Sequence, residues 1–241
     1  MEPSRVKFMC GRVALFTPPA RLARFLDATL AAGLDPEGRP SWNVGPQRSL
    51  FAVTEEDHSR VLSRYRWGLV PSWAKDPSIA NKLFNARAET VMEKPSFRSA
   101  FAKHPCVIPV DGFYEWDHRD GRGRQPHYFT RTDGTPILLA GLVERWHNPA
   151  DPDDIVMRTC TVITTTPNED MDGIHDRMPV ILSAANVEPW LDVKVPSALR
   201  HELLAPAPPQ TLTHYGVGSS VGNVRNDGPA LIERSEPTTL F

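Results

Sequence analysis

Apolar and polar side chains alternate along much of the chain with a period of two, which predicts β-strands. Within residues 61–67, Val61 and Tyr65 fall on one face and Arg64 falls on the other. Residues 50–53 are expected to pair with this strand. Segments rich in β-branched and aromatic residues predict further strands at 13–16, 106–109, 112–116, 127–130, 137–143 and 155–165.

Helical periodicity is confined to short segments. Thr17 is predicted to cap a helix that opens at Pro18 and ends near Gly33, with apolar residues at helical spacing between them. Four more short helices are predicted at 88–93, 96–102, 183–192 and 196–204. Runs of strand with few helices between them predict an α+β fold with mainly antiparallel pairing rather than a doubly wound sheet.

Composition narrows the class of protein. The chain has 241 residues, 40% of them hydrophobic and 23% charged, as expected for one compact globular domain. A net charge of −2 excludes a globally basic surface but allows a locally basic groove. The 24 prolines limit helix length. No apolar run approaches the ~20 residues of a membrane span, so no membrane association is expected.

The three cysteines are Cys10, Cys106 and Cys160, an odd number without a closely spaced pair. This pattern argues against a disulfide framework and against a metal site. Residues 1–8 carry both signs of charge and lack an apolar stretch, so they do not resemble a signal peptide. A cytoplasmic protein without a metal or other cofactor is therefore expected.

Cys10 follows Met9 and precedes Gly11, a context in which an initiator methionine is removed if translation begins there. An N-terminal cysteine is a 1,2-aminothiol, with an amine that titrates near 7.7–8.0 and a thiol near 8.5. Such a group converts an aldehyde into an imine and then into a five-membered thiazolidine. The alternative is that Cys10 is a small hydrophobic residue in a strand.

Three other side chains have the chemistry of proton transfer or of heteroatom binding. Glu115 lies in the aromatic segment Gly112–Trp116, where burial would raise its pKa and suit it to proton transfer. His175 is of the right type for a proton shuttle near neutral pH. Asn85 could donate a hydrogen bond to a reacting atom. The alternatives are an ion pair for Glu115, a bonded core or surface histidine, and a helix-capping asparagine.

Arginines accompany these candidates. Arg12, Arg87 and Arg177 each lie within two residues of one of them, so together they could bind phosphates around one site. Individually they are as well explained by salt bridges. Trp73 is a candidate platform for an unpaired base. The remaining tryptophans expected in the core are Trp67, Trp146 and Trp190.

Seven short motifs occur in one order along the chain. They are MCGR at 9–12, WNVGP at 42–46, WGLVPSW at 67–73, NARAET at 85–90, GFYEW at 112–116, IHDRMP at 174–179 and VGNVRN at 221–226. This order resembles the SOS response-associated peptidase (SRAP) family from residue 9 to about 232. The resemblance implies a single barrel-like domain at 9–233 with short flanking helices, an N-terminal extension at 1–8 and a loose tail at 234–241.

The resemblance also implies a function. Members of the family recognise abasic sites in single-stranded DNA, in some cases at duplex junctions, and trap the ring-opened sugar as a thiazolidine. Carried over to this chain, Cys10 is the crosslinking nucleophile and Asn85 holds it with the opened sugar. Glu115 moves protons at the amine, and His175 assists ring opening and the reverse reaction. A monomer is expected, in the cytoplasm or, if the protein is eukaryotic, in the nucleus.

Eight positions match residues that line the DNA groove of the family. They are Arg12, Asn43, Pro46, Trp73, Arg87, Trp116, Thr164 and Arg177. The three arginines are expected to hold phosphates, Pro46 to wedge beside a base step, and Thr164 to lie beside the histidine. Association with DNA is then salt-dependent even though the protein is slightly acidic, because only the groove has to be positive.

The extension before Met9 leaves several interpretations open, because Cys10 lacks a free amine while it is attached. Met9 is the true start, or self-processing removes a longer leader, or the chain is a non-crosslinking relative; we favour the first. Rival functions are an N-terminal-nucleophile amidohydrolase, which shares the Met-Cys-Gly start, and a cysteine peptidase with a Cys10–His175 dyad. A non-catalytic single-strand-binding module is a third.

Overall fold

The computed structural model describes residues 10–56, 58–117, 125–148 and 156–235. The thirteen strands of these ranges are β1 Val13–Leu15, β2 Ala28–Leu30, β3 Ser41–Val44, β4 Ser49–Glu56, β5 Ser59–Trp67, β6 Asn85–Arg87, β7 Pro105–Val110, β8 Gly112–Asp117, β9 Gln125–Arg131, β10 Ile137–His147, β11 Val156–Thr165, β12 Met178–Pro179 and β13 Leu212–Gly216. The α-helices are α1 Pro19–Phe25, α2 Arg98–Lys103, α3 Ala184–Leu191 and α4 Ser197–Glu202. The predicted extension at 1–8 and the tail beyond 235 lie outside the described residues.

Five strands close into a barrel in the order β4, β5, β11, β10 and β7. Four of the five contacts are antiparallel, and the ring is closed by a parallel contact in which Cys160 of β11 faces Trp67 of β5. The short strands β2, β6 and β12 extend this sheet. The barrel-like, mainly antiparallel α+β domain expected from the sequence is thus confirmed.

A second sheet, in the order β13, β9, β8, β1 and β3, carries part of the candidate site. Its two faces are both packed. Phe113 and Phe129 stack at 4.9 Å and join the main core, whereas Tyr114 and Tyr128 pack at 5.1 Å in a smaller cluster on the opposite face. Because β8 is covered on both sides, the side chain of Glu115 points into protein rather than into bulk water.

The first predicted helix is shorter than expected. It begins at Pro19 with Pro18 as its cap, and it ends at Phe25. Asp27 has a φ of +50°, which a helix does not permit, and residues 28–30 pair in parallel with β5 instead. Thr17 does not cap the helix, because its backbone N–H and its hydroxyl both donate to the carboxylate of Asp111.

Of the other predicted elements, the strands and the two late helices are confirmed, whereas one short helix is wrong. The predicted strands are all present, although residue 155 lies outside the described part, and the two late helices are confirmed as α3 and α4. The helix predicted at 88–93 is only a 3-10 turn, Ala88–Thr90. The three tryptophans expected in the core are buried, and each indole N–H donates to a backbone carbonyl at 2.7–2.8 Å: Trp67, Trp146 and Trp190. None of the described helices has the length and apolar character that a membrane crossing demands.

Candidate active site and nucleic-acid interface

The backbone nitrogen of Cys10 lies against the side chain of Glu115. Its N–H donates to Oε1 of Glu115 at 2.5 Å, and both residues are at most 3% exposed. The contact arises because β1 pairs with β8, which brings the segment before Val13 beside the middle of GFYEW. The nitrogen that would become the α-amine of an N-terminal cysteine is therefore in direct contact with a buried carboxyl group.

Burial raises the pKa of Glu115 to about 8. The N–H of Cys10 acts in the opposite direction, since it stabilises the carboxylate, while the negative charge of Asp176 raises the pKa further. A carboxyl group with a pKa near 8 is populated in both protonation states around neutral pH. It is therefore suited both to accept and to donate a proton.

The thiol of Cys10 is neutral in this environment, because burial and then the negative charge of Glu115 raise its pKa well above the ordinary value. The backbone of Cys10 is also unusual, with a φ of +32° in the left-handed region. For a residue with a Cβ this conformation costs about 1–2 kcal/mol. The chain is thus held in an unfavourable conformation at Cys10, the residue that follows Met9.

His175 is a buried histidine next to Asp176, whose charge acts on Glu115. Its side chain is 2% exposed, and its Nδ1 is 2.9 Å from Oδ1 of Asp176 and 3.2 Å from the backbone nitrogen of Arg177. Protonated Nδ1 pairs with the carboxylate, whereas neutral Nδ1 accepts the N–H of Arg177. Asp176, which contacts His175, also acts electrostatically on Glu115.

Arg177 is held by protein groups. Its Nη1 and Nη2 donate to the two carboxylate oxygens of Glu89, and Nη2 also donates to the backbone oxygen of Thr164 at 2.7 Å. The hydroxyl of Thr164 lies beside the same nitrogen and donates to the carbonyl of Ala86. The bond from Arg177 holds the pKa of Glu89 below its usual range. Thr164 thus lies near the histidine segment, as the resemblance implies.

Strand β6 brings NARAET to the same place. It runs parallel to β11, with Asn85 opposite Val162 and Arg87 opposite Thr164. Asn85 is half-buried, whereas Arg87 is exposed and makes no hydrogen bond or ion pair within the described ranges. Of the two arginines here, Arg87 presents the guanidinium that is not already paired.

Arg12 and Asn43 form a second buried polar cluster. Nη1 of Arg12 donates to Oδ1 of Asn43 at 2.7 Å and to the carbonyl of Val221 at 2.6 Å. Nδ2 of Asn43 lies within 2.8–3.3 Å of three carbonyls, those of Val221, Asn223 and Asn226. The side chain of Asn43 therefore binds the VGNVRN segment to β3. Arg12 lies 5.9 Å from the ring of Trp116.

Two further predicted DNA contacts lie at the surface. Trp73 is 57% exposed, with its indole N–H donating to the carbonyl of Pro95 at 3.3 Å. Pro46 is half-buried and follows Gly45. A Cβ placed on Gly45 would lie 3.5 Å from Nε of Arg12 and 3.8 Å from Cγ1 of Val224. Pro46 is thus next in sequence to a residue beside Arg12, whereas the contacts above do not link Trp73 to Cys10.

Sequence reasoning missed two acidic residues in this site. Glu89 and Asp176 lie inside the quoted motifs NARAET and IHDRMP, yet neither received a role. Glu89 lies two residues after Arg87, but its partner is Arg177, which is 88 residues away in the sequence. Only the fold reveals this pair. In the described ranges no group of three or more His, Cys, Asp or Glu is arranged to hold a metal ion.

Comparisons with known proteins identify a family and similar structures. The profile of the SOS response associated peptidase (SRAP) family matches residues 9–224. An abasic site processing protein of Bacillus subtilis, YoqW, is 41% identical over 93% of this chain and 99% of its own length. The abasic site processing protein HMCES of Gallus gallus is 35% identical over 93% of this chain and 77% of its own. A crystal structure of a Bacteroides thetaiotaomicron protein superposes with a TM-score of 0.81, at 25% identity over 94% of this chain and all of that one.

Proposed function

The chain belongs to the SOS response associated peptidase family, and from that premise we propose that it recognises abasic sites in single-stranded DNA and traps them covalently on Cys10. Relatives that match nearly the whole chain are named as abasic site processing proteins, which supports the choice of lesion. The observation that carries the proposed chemistry is the 2.5 Å contact between the nitrogen of Cys10 and Glu115.

The proposed reaction joins the aminothiol of Cys10 to the aldehyde of the ring-opened sugar. The amine adds to the aldehyde carbon, and the resulting carbinolamine loses water to give an imine. The sulfur then adds to the imine carbon while the nitrogen regains a proton, so that one water molecule is the only by-product of thiazolidine formation. The reaction needs a free amine and hence a chain that begins at Cys10.

Glu115 is the proposed proton carrier for these steps. Its pKa of about 8 lies close to the 7.7–8.0 of an α-amine, so proton exchange between the two is nearly balanced near neutral pH. The carboxylate accepts a proton from the ammonium form of the amine and returns one to the departing hydroxyl of the carbinolamine. The buried thiol is neutral, which favours attack by the amine first and by the sulfur second.

Exposure of the amine is the second part of the proposal. When the extension is attached, the sulfur of Cys10 attacks the carbonyl carbon of residue 9, the peptide C–N bond breaks, and Glu115 protonates the leaving nitrogen. Water then hydrolyses the thioester and releases the extension. The positive φ of Cys10 supports this step, because that torsional cost disappears when the peptide bond is cleaved.

The remaining site residues have proposed roles around this centre. Asn85 holds the opened sugar, and His175 assists ring opening and the reverse, lyase-type reaction. Arg87 binds phosphate with its whole guanidinium group. Arg12 and Arg177 bind phosphate through the N–H groups that do not already bind protein atoms. Trp73, Trp116 and Pro46 contact bases or sugars along the groove, whereas Asn43 and Thr164 support the groove through the hydrogen bonds described above.

The test combines intact mass with crosslinking. Protein that begins at Cys10 is expected to form an adduct with an abasic single-stranded oligonucleotide that survives a denaturing gel. A matched protein with one glycine before Cys10 keeps the thiol but lacks the amine, and it is expected to form none. Cys10→Ala is expected to lose the thiazolidine. Equal adduct yields from all three proteins would refute the proposal.

A further inference from the structure

Three arginines outside the Cys10 site line one open cleft. The cleft has a volume of about 510 Å³ and is bordered by Arg39, Arg48 and Arg225, together with the hydroxyl-bearing residues Ser41 and Ser49. We call it the arginine cleft. Arg39 and Arg48 come from either side of β3, and Arg225 comes from the VGNVRN segment, so three separate parts of the sequence converge on it.

The arginine cleft has an excess of positive charge, with three arginines against one carboxylate. All three arginines are exposed, and none of them forms an ion pair within the part of the chain that the structure describes. One carboxylate, that of Asp227, also borders the cleft, but its Oδ1 accepts the backbone N–H groups of Trp42 and Gly228. In a protein with a net charge of −2, this is a local concentration of unpaired guanidinium groups.

The arginine cleft adjoins the candidate site. Asn43 borders it, and Oδ1 of the same residue accepts the hydrogen bond from Arg12, which lies two residues after Cys10. The backbone at Gly45 separates the two places, with Nε of Arg12 and the Val224 side chain both within 4 Å of where a Cβ would stand. A polymer that leaves the Cys10 site past Arg12 therefore meets the cleft next.

The local structure also fixes the backbone that carries Arg225. Its backbone N–H donates to Oδ1 of Asn223 at 3.1 Å, and the carbonyls of Asn223 and Asn226 on either side of it accept from Nδ2 of Asn43. This arrangement holds the loop in one conformation before any ligand arrives. An arginine on a fixed backbone loses less backbone freedom on binding than one on a flexible loop.

We propose that the arginine cleft binds the phosphodiester backbone of DNA that flanks the abasic site, and this rests on the proposed function. Guanidinium groups with neighbouring hydroxyls match phosphate oxygens in charge and in hydrogen-bonding geometry. The cleft is open and no aromatic side chain of the described residues lines it, so it lacks the aromatic pocket that anchors a protein partner. Its continuity with Arg12 favours the same nucleic acid that occupies the Cys10 site over a separate acidic protein.

The test compares oligonucleotides of two lengths, each with one abasic site. Protein with Cys10→Ala is used for equilibrium binding, so that no adduct forms, and the affinity is measured as a function of salt. On the long oligonucleotide, Arg48→Ala/Arg225→Ala is expected to weaken binding roughly tenfold and to reduce the slope of log K against log salt by about 1.4. Both effects are expected to shrink on an oligonucleotide too short to pass Arg12.

Two matched variants complete the design. Lys103→Ala/Lys194→Ala also removes two exposed positive charges, but outside the cleft, and is expected to leave the slope nearly unchanged. Arg48→Lys/Arg225→Lys keeps the charges and is expected to retain most of the slope. An unchanged slope for the alanine pair on long DNA overturns the cleft proposal, as does an equal loss from the lysine-site control. Wild-type protein that begins at Cys10 is crosslinked in parallel: absence of its adduct overturns the proposed function instead.

Discussion

Arg177 is held by both carboxylate oxygens of Glu89, across 88 residues of sequence. The same guanidinium also binds the carbonyl of Thr164. Arg87, two residues before Glu89, has no such partner in the described ranges. Two arginines that look equivalent in the sequence are therefore expected to behave differently when they are changed.

Arg87→Ala is expected to weaken DNA binding and to lower the slope of log K against log salt by about 0.7 on single strands, because one phosphate contact is lost.

Arg177→Lys keeps the charge but cannot reproduce the paired bonds to Glu89. It is expected to lower the free energy of unfolding by about 1 kcal/mol, a modest figure because Glu89 is partly exposed and solvent weakens the pair. Fluorescence anisotropy and urea unfolding measure the two effects. The reverse pattern would contradict these assignments.

Glu115→Gln is expected to slow adduct formation about 100-fold, since proton transfer by a placed side chain contributes on this scale. The affinity for abasic DNA should stay close to that of the wild type, because Glu115 faces Cys10 and not the phosphates. Single-turnover crosslinking followed by denaturing gels measures the rate. A Glu115→Gln variant that reacts at the normal rate would show that another group moves the proton.

The raised pKa of Glu115 also predicts how stability depends on pH. Burial raises its pKa from 4.5 to about 8, so between these values the folded state holds a proton that the unfolded state has lost. The contribution of this residue is therefore present below pH 4.5 and is lost as the pH rises toward 8. Glu115→Gln is expected to flatten that decline. Thermal unfolding of both proteins from about pH 5 to about pH 8.5 checks the sign, and parallel curves would contradict it.

Asn43→Ala is expected to lower the free energy of unfolding by about 2 kcal/mol, because three carbonyls and Arg12 lose a hydrogen-bonding partner. The VGNVRN segment should also become sensitive to proteases. Asn81→Ala, at an exposed position, provides the matched control. Urea unfolding and limited proteolysis are the measurements. Equal stability and equal protease sensitivity of the two variants would show that the hydrogen bonds of Asn43 do not hold the VGNVRN segment.

Gly112→Ala is expected to destabilise the second sheet by more than about 2 kcal/mol, because an added Cβ would overlap the ring of Tyr128 and stand 2.5 Å from the carbonyl oxygen of Phe129. Gly222 offers a control, since nothing lies within 4 Å of a Cβ there. Gly222→Ala is expected to change stability by less than about 0.5 kcal/mol. Thermal unfolding of the pair decides between a packing requirement and a general cost of losing glycine.

Strand positions were predictable where side chains alternate, as in β5, and where a continuous apolar run is buried on both faces, as in β10, because both patterns reflect burial in a sheet. The helix predicted to run to Gly33 ends at Phe25, so hydrophobic periodicity did not locate its end. Its apolar spacing fits a helix through Leu30, but the pairing of residues 28–30 with β5 supplies hydrogen bonds that periodicity does not register. Tertiary contact overrides a local pattern here.

The candidate site divides in a similar way. Motifs located Cys10, Glu115 and His175, and the structure places the first two in contact. The long-range partners were not predictable. The side chain of Asn43 hydrogen-bonds to carbonyls 178 to 183 residues further along the chain. The motif WNVGP does not predict these partners.

The distance in sequence between Cys10 and Glu115 has a consequence for biosynthesis. The carboxyl group that covers the nitrogen of Cys10 is encoded 105 residues later, so the early chain leaves the ribosome without it. At about 5–20 residues per second, the N-terminal segment stays open to trimming enzymes for roughly 5 to 20 s before the sheet is complete. Removal of residue 9 by such enzymes therefore precedes closure of the fold, whereas self-processing that uses Glu115 begins only after it.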